Sequence, residues 1–404
     1  MKKKKRIVIV GSSFAGYTTA VQLAKNLGQK HEIIVIDKSA EFIFTPFLIW
    51  YPFGYHDIEN GSFDTRPIYE KLGITFIKSL VYGFDLEDRL IYTPDQDIKY
   101  DYLVIATGTT PHFTSIKGLN PGKNSWCVYC DFHHSEHTRK AWKNFLNNPG
   151  PVVIGAAQWA GYSFAAYEFL FNSLYHLHKH DLLDKIPIHF VTAEPYLTHF
   201  GIGGLGQDPD KALTLLENFN VQVHLNAEIH EVKSTDVILE GGTHIPSSFT
   251  MIIPPFNGVD AVKTTRKLAN EHGLIQVSDQ FNHPNYPNLF AAGGSVCIYQ
   301  KADSKIGLGM PCTHSLSEMM AKAVAQNITA EIDGGNHVTS TTDQFYNLIR
   351  KDLEYLGKMI FRDYTNVTEA LDFIARGSQD KWANHSMEKY IESSYLDDFM
   401  NIKY

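Results

Sequence analysis

Arg6-Ile7-Val8-Ile9-Val10-Gly11-Ser12-Ser13-Phe14-Ala15-Gly16 is the stretch on which the fold turns. Ile7 to Val10 is an unbroken β-branched run and reads as a fully buried parallel strand that Gly11 ends. Tyr17, Val21, Ala24 and Leu27 then recur at helical spacing over residues 14–27, and Ile33 to Ile36 forms a second buried strand. Strand, glycine turn, helix and strand make a βαβ unit. Gly11 to Gly16 keeps the spacing of G-x-G-x-x-G with Ser13 in the middle place. The first glycine permits the tight turn, and the last lets helix and strand pack closely. The helix start then points backbone N–H groups at a pyrophosphate. Ser13 narrows the approach without closing it. Asp37 follows Gly16 by 21 residues, where an acid hydrogen-bonds a ribose hydroxyl, and Lys38 stands beside it.

Working outward, Asp101 to Ala106 is another apolar strand, ending in Thr107-Gly108. A polar, turn-rich stretch runs from there to Asn148. Val152 to Ile154 restarts the pattern with a second glycine turn, a long helix over roughly 160–180, and a strand at Ile188 to Thr192. Met251 to Pro254 and Leu289 to Ala292 read as later strands, and Ser315 to Ile328 as a helix. The expected fold class is α/β, with two dinucleotide-fold domains and a C-terminal α+β segment. The first domain is discontinuous, over 1–112 and 251–330. The second takes 113–250, and the C-terminal segment 331–404.

Composition fits this. With 404 residues, 44% hydrophobic and 20% charged, the chain supports large cores and more than one domain. A net charge of −8 argues against nucleic acid as a partner. The basic run Lys2 to Arg6 reads as the solvated start of a strand, with a membrane-surface patch as the alternative. The apolar run after it is too short for a signal peptide, and none elsewhere suits a spanning helix. Four cysteines do not make a disulfide scaffold, so a reducing, cytoplasmic setting is expected.

Further stretches carry a family resemblance. Tyr102-Leu103-Val104-Ile105-Ala106-Thr107-Gly108 resembles the ATG motif of flavoproteins with two dinucleotide folds, and Asn288-Leu289-Phe290-Ala291-Ala292-Gly293 their late flavin-binding strand. Glu194 to Ile202 and Met251 to Val259 resemble the sulfide:quinone oxidoreductase branch. The resemblance spans roughly residues 5–330 and implies FAD held by Gly11, Ser12, Ser13, Phe14, Ala15, Gly16, Asp37, Lys38, Ala106, Thr107, Gly108, Gly293 and Gly294. Gly294 stands where the wider superfamily has an aspartate for the ribityl chain. The aromatic segment Phe42 to Phe47 with Trp50 and Tyr51 matches the family's flavin-side loop.

Two departures bear on the electron donor. Gly155-Ala156-Ala157-Gln158-Trp159-Ala160 stands where NADH-using relatives have G-x-G-x-x-G and keeps only its first glycine, which speaks against NAD(P)H. The family's sulfur-relay cysteine after this turn is replaced by Tyr162, and no cysteine follows Cys312 to be its partner. Cys130 matches a third family cysteine that in some members binds the flavin covalently. With Cys127 it forms C-x-x-C near His133, His134 and His137. Plain thiols, a flavin link, a redox pair and a metal site all remain open for it. His134 and His199 match the family's quinone-site histidines and would move protons, or serve as structural hydrogen-bonders. Cys312 opens the late helix as a reactive or an inert buried thiol, and Cys297 reads as core. His176, His178 and His180 read as a solvated helix face.

The resemblance implies electron transfer through FAD to a quinone-like acceptor, with a small donor and sulfide activity far below that of dicysteine relatives. The rival readings are an NADH:quinone dehydrogenase and a flavin-bound sensor without turnover. Peripheral contact with the inner face of a membrane through the C-terminal segment, and a homodimer, are compatible with all three.

Overall fold

The computed structural model describes residues 3–55, 57, 61–298 and 304–376. Arg6–Val10 forms the centre of a six-stranded sheet, paired in parallel with Glu32–Asp37 on one side and Tyr102–Ile105 on the other. Thr75–Lys78 extends the first side and Tyr286–Ala291 the second, both in parallel, and antiparallel Asn282–His283 closes one edge. The β-branched run is central because it is buried on both faces, with Ile7, Val8 and Ile9 fully enclosed. The helix Phe14–Leu27 packs along the long late helix His314–Asp333.

The second domain repeats the plan with four parallel strands in the order Val221–His224, Ile188–Thr192, Val152–Ala156 and Phe249–Ile253. Phe249–Ile253 belongs to this sheet, so the expected boundary at residue 250 falls inside a strand. The chain then crosses back at once, as Phe256–Gly258 pairs antiparallel with Thr109–Pro111.

Three features differ from the sequence reading. The stretch expected as turns contains a helix, Phe132–Asn147, started by the Asp131 side chain accepting from the His134 N–H. Its buried face is Ser135, Thr138, Trp142 and Phe145, so half of an otherwise regular helical stripe is polar and the period is masked. His176 is half-buried rather than solvated, packed among Phe53, Tyr55 and Trp142. Among the described residues the C-terminal segment supplies helices and no strand: Thr342–Asp352, Glu354–Phe361 and Val367–Arg376. The aromatic and acidic tail from Tyr390 to Phe399, and Lys2 of the basic run, lie outside the described residues.

Candidate functional site

The first glycine turn is a cradle that no larger residue could form. Gly11 sits at φ +106°, and a Cβ there would lie 2.2 Å from the Ala106 carbonyl oxygen. A Cβ on Gly16 would lie 1.9 Å from the Gly11 carbonyl oxygen. Ser13 opens the first helix without a side-chain cap, and its first turn carries no acid, so the positive helix end faces outward. Ser12 N–H donates to Asp37 Oδ2 at 2.6 Å and Ser39 N–H to Oδ1 at 2.9 Å, which fixes the carboxylate beside the turn. Burial pushes the Asp37 pKa upward against these hydrogen bonds. Lys38 is exposed next to it. Phe14 packs edge-on against Phe42 and Phe44 and lies near His314, so the aromatic segment backs the turn. Ser295 Oγ accepts from the Gly108 N–H at 2.9 Å and contacts Thr107 Oγ1, tying the ATG strand end to Gly293 and Gly294. The arrangement can hold a diphosphate and an adjacent ribose.

The second glycine turn is arranged oppositely, with its backbone donors engaged by protein. Ala157 N–H donates to Ile253, Ala160 N–H to Ala157, and Trp159 N–H to the Gly307 carbonyl at 2.8 Å. The segment around Gly307 and Gly309 lies directly on the turn. A Cβ on Gly307 would fall 2.1 Å from the Trp159 ring, and one on Gly309 2.3 Å from the Gly161 nitrogen. A dinucleotide phosphate would have to displace this segment. The sequence showed the lost glycines. The interlocking Gly307 and Gly309 were missed, although two glycines one residue apart were a visible sign of close backbone approach.

Between the domains lies a pocket of about 400 Å³, lined by Tyr162, Phe256, Gly294, Leu308, Met310 and the two cysteines outside the disulfide, Cys297 and Cys312. Cys297 was expected in the core but borders this space. Burial pushes the Cys312 thiol up to about 11 even though the residue keeps some accessible surface, which disfavours the reactive thiolate.

Of the four residues expected to be catalytic, Cys312 lines this pocket. Cys130 is joined to Cys127 in a disulfide. A sulfur bonded to sulfur has no thiolate for a flavin or a metal, so in this state the covalent, metal and plain-thiol readings of Cys130 close. No metal-holding cluster occurs among the described residues. Tyr129, between the two cysteines, packs on Tyr162 at 4.8 Å, which links the disulfide to the pocket wall. His134 is engaged at the start of its own helix, its N–H donating to the Asp131 cap and its Nδ1 2.8 Å from the same carboxylate. His199 is 2% exposed and accepts the Gly201 N–H at Nδ1, and burial lowers its pKa.

One buried acid escaped the sequence reading. Glu168, on the helix Phe164–Lys179, is 2% exposed. A single charge within Phe164-Ala-Ala-Tyr-Glu-Phe-Leu-Phe171 was the available signal.

Comparison with known proteins agrees with this geometry. A family model described as pyridine nucleotide-disulphide oxidoreductase matches residues 5–308. The sulfide-quinone reductase of Aquifex aeolicus (strain VF5) is 33% identical over 335 residues, 81% of this chain and 77% of that protein. A mitochondrial sulfide:quinone oxidoreductase of Dictyostelium discoideum is 25% identical over 340 residues, 78% and 74% of the two chains. The crystal structure of the Aquifex aeolicus sulfide:quinone oxidoreductase superposes with a TM-score of 0.78 at 28% identity, over 92% of this chain and 95% of that one. The cradle, the paired dinucleotide folds and these likenesses together place the chain in the pyridine nucleotide-disulphide oxidoreductase family of FAD-dependent enzymes, in its sulfide:quinone oxidoreductase-like branch.

Proposed function

We propose that this protein passes electron pairs from a small donor other than NAD(P)H to a quinone-like acceptor. FAD, when bound, would supply the two-electron store. Gly11, Gly16 and the first helix would hold its diphosphate and Asp37 its ribose, with Ala106, Thr107, Gly108, Gly293 and Gly294 along the rest. The observation that carries the donor reading is the second glycine turn, whose donors are engaged and whose groove holds the segment around Gly307. The pocket beside Tyr162 is the natural donor entrance, because it lies next to Gly294 and is walled by apolar side chains. Relay of sulfane sulfur in the family's manner is disfavoured there. Tyr162 offers a half-buried phenol and no sulfur, and Cys127 and Cys130 are bonded to each other. His134 and His199 remain the candidates for acceptor-side proton transfer. Peripheral membrane contact through the C-terminal segment would bring a lipid-soluble acceptor within reach. Anaerobic titration of the purified protein with sulfide, small thiols, NADH and NADPH tests the reading. Bleaching of flavin absorbance by sulfide or a thiol, with none by either nucleotide, is expected. Saturable reduction by micromolar NADH overturns it in favour of an NADH:quinone dehydrogenase, and no bleaching by any donor in favour of a sensor.

A further inference from the structure

A small cavity of about 60 Å³ lies where five segments meet, and the donor pocket does not include it. Pro46 and Trp50 line it from the aromatic segment, Tyr129 from the disulfide loop, and Phe164 and Glu168 from the second-domain helix. Thr313 and His314 enter from the start of the late helix, and Asp352, Leu353 and Tyr355 from the C-terminal helices. Two carboxyl groups, from Glu168 and the distant Asp352, therefore face one small space. Glu168 Oε1 accepts the Tyr355 hydroxyl, while Glu168 Oε2, buried, has no protein partner. Asp352 Oδ1 accepts the Ser315 hydroxyl at 2.6 Å, and Asp352 Oδ2 likewise has none. Buried polar atoms are seldom left unpaired, and a cavity of this size with two unpaired carboxyl oxygens on its wall has room for a bridging water.

We infer that this cavity is a water-filled proton store in which Glu168 is a neutral carboxylic acid at pH 7, linked through water to Asp352 and His314. Desolvation pushes the Glu168 pKa up to about 8, with a smaller opposing effect from the Trp50 indole. The titratable groups facing Glu168 across the cavity are Tyr129, His314, Asp352 and Tyr355. Among the described residues, the helix Val367–Arg376, which packs on Phe164–Lys179, buries only apolar side chains, Ala370, Leu371 and Ile374 included. The start of the late helix, capped by Thr313, points its positive end at the cavity and steadies the carboxylate once the proton has gone. The destination of the proton rests on the acceptor reading above. Reduction of a carbonyl acceptor to its hydroxyl form takes two electrons, from the donor of that reading, and two protons. Glu168 gives one proton as its O–H bond breaks, passing it to cavity water, and is reprotonated from solvent. The other proton comes from solvent directly. Glu168 is thus a positioning residue for protons rather than a group that touches the acceptor.

Infrared difference spectroscopy of the full-length protein as purified, in D2O, tests this. The band of a protonated carboxyl should be present at pH 7, be lost in Glu168→Gln, persist in Asp352→Asn, and disappear on titration through about pH 8. Buried Glu194 and half-buried Asp37 are also acids with raised pKa values, so the wild-type minus Glu168→Gln difference is the decisive trace. In turnover, Glu168→Gln should slow acceptor reduction at least tenfold and remove its alkaline limb, with Glu168→Asp recovering part of both. A wild-type spectrum at pH 7 indistinguishable from Glu168→Gln overturns the proposal, and so does an unchanged pH profile in that variant. The band is read on the resting protein. Failure of every donor titration would therefore sink the acceptor reading while leaving the proton store standing.

Discussion

Gly11 meets two demands at once, a positive φ and the absence of a side chain against Ala106. Gly11→Ala should therefore cost about 2–4 kcal/mol, the sum of a left-handed backbone and an overpacked contact. The variant is expected to purify with little flavin, checked by its absorbance ratio and thermal midpoint. Wild-type flavin content would contradict the cradle. The cysteines allow a count. With Cys127 and Cys130 bonded, the denatured, unreduced protein should expose only the thiols of Cys297 and Cys312 to a thiol reagent, and all four after reduction. Flavin should come free in acid, because no thioether forms at a bonded Cys130. Colour retained in the acid pellet would show the opposite. The C-x-x-C spacing alone could not separate these outcomes, since it leaves plain thiols, a thioether, a redox pair and a metal ligand all open. Only the closure of the loop around Tyr129 decides.

Secondary elements show most directly what the sequence disclosed. The strands and helices of both βαβ starts were legible because they are buried on both sides and carry unmixed apolar periods. The helix Phe132–Asn147 was not, because Ser135 and Thr138 occupy buried positions that a leucine would have announced. Likewise the first glycine turn could be read in full, whereas the closure of the second depends on Gly307 and Gly309, some 150 residues away and brought near only by the fold. That closure is testable. Gly307→Ala should lower stability by ~1–3 kcal/mol, because its Cβ meets the Trp159 ring. Most of that loss should vanish in a Trp159→Ala background, as a double-mutant cycle by chemical denaturation would show. Additive effects would mean that the two do not touch. Restoring glycine at Ala157 and Ala160 should not confer reduction by NADH while the segment around Gly307 stays in place.

Across the whole molecule, a half-buried histidine and a buried acid shape stability in opposite directions. Burial, then the nearby His180 and Lys179, lowers the His176 pKa from 6.5 to about 4. The folded chain thus binds this proton less readily than the unfolded one. Its contribution is complete above pH 6.5 and is lost as pH falls towards 4, at most on the order of 3 kcal/mol. Glu168, raised from 4.5 to about 8, acts the other way, and stability declines as pH rises across that window. Thermal midpoints against pH should trace a dome. His176→Phe should flatten its acid side and Glu168→Gln its alkaline side, and an unchanged acid side in His176→Phe would refute the first assignment. The two-domain plan was visible from the spacing of the glycine turns. The meeting of the C-terminal helices with Glu168 was not, because it joins parts of the chain that share no local pattern.

On the proposed donor reading, the segment lodged on the second glycine turn would have a bioenergetic consequence. An enzyme whose nucleotide groove is stoppered by its own backbone is disconnected from the nicotinamide pool. The cell's NADH/NAD+ ratio could then rise or collapse without filling or draining its electron store. Flux would follow the poise of its donor and acceptor alone, which suits a catalyst that must keep running when central metabolism stalls.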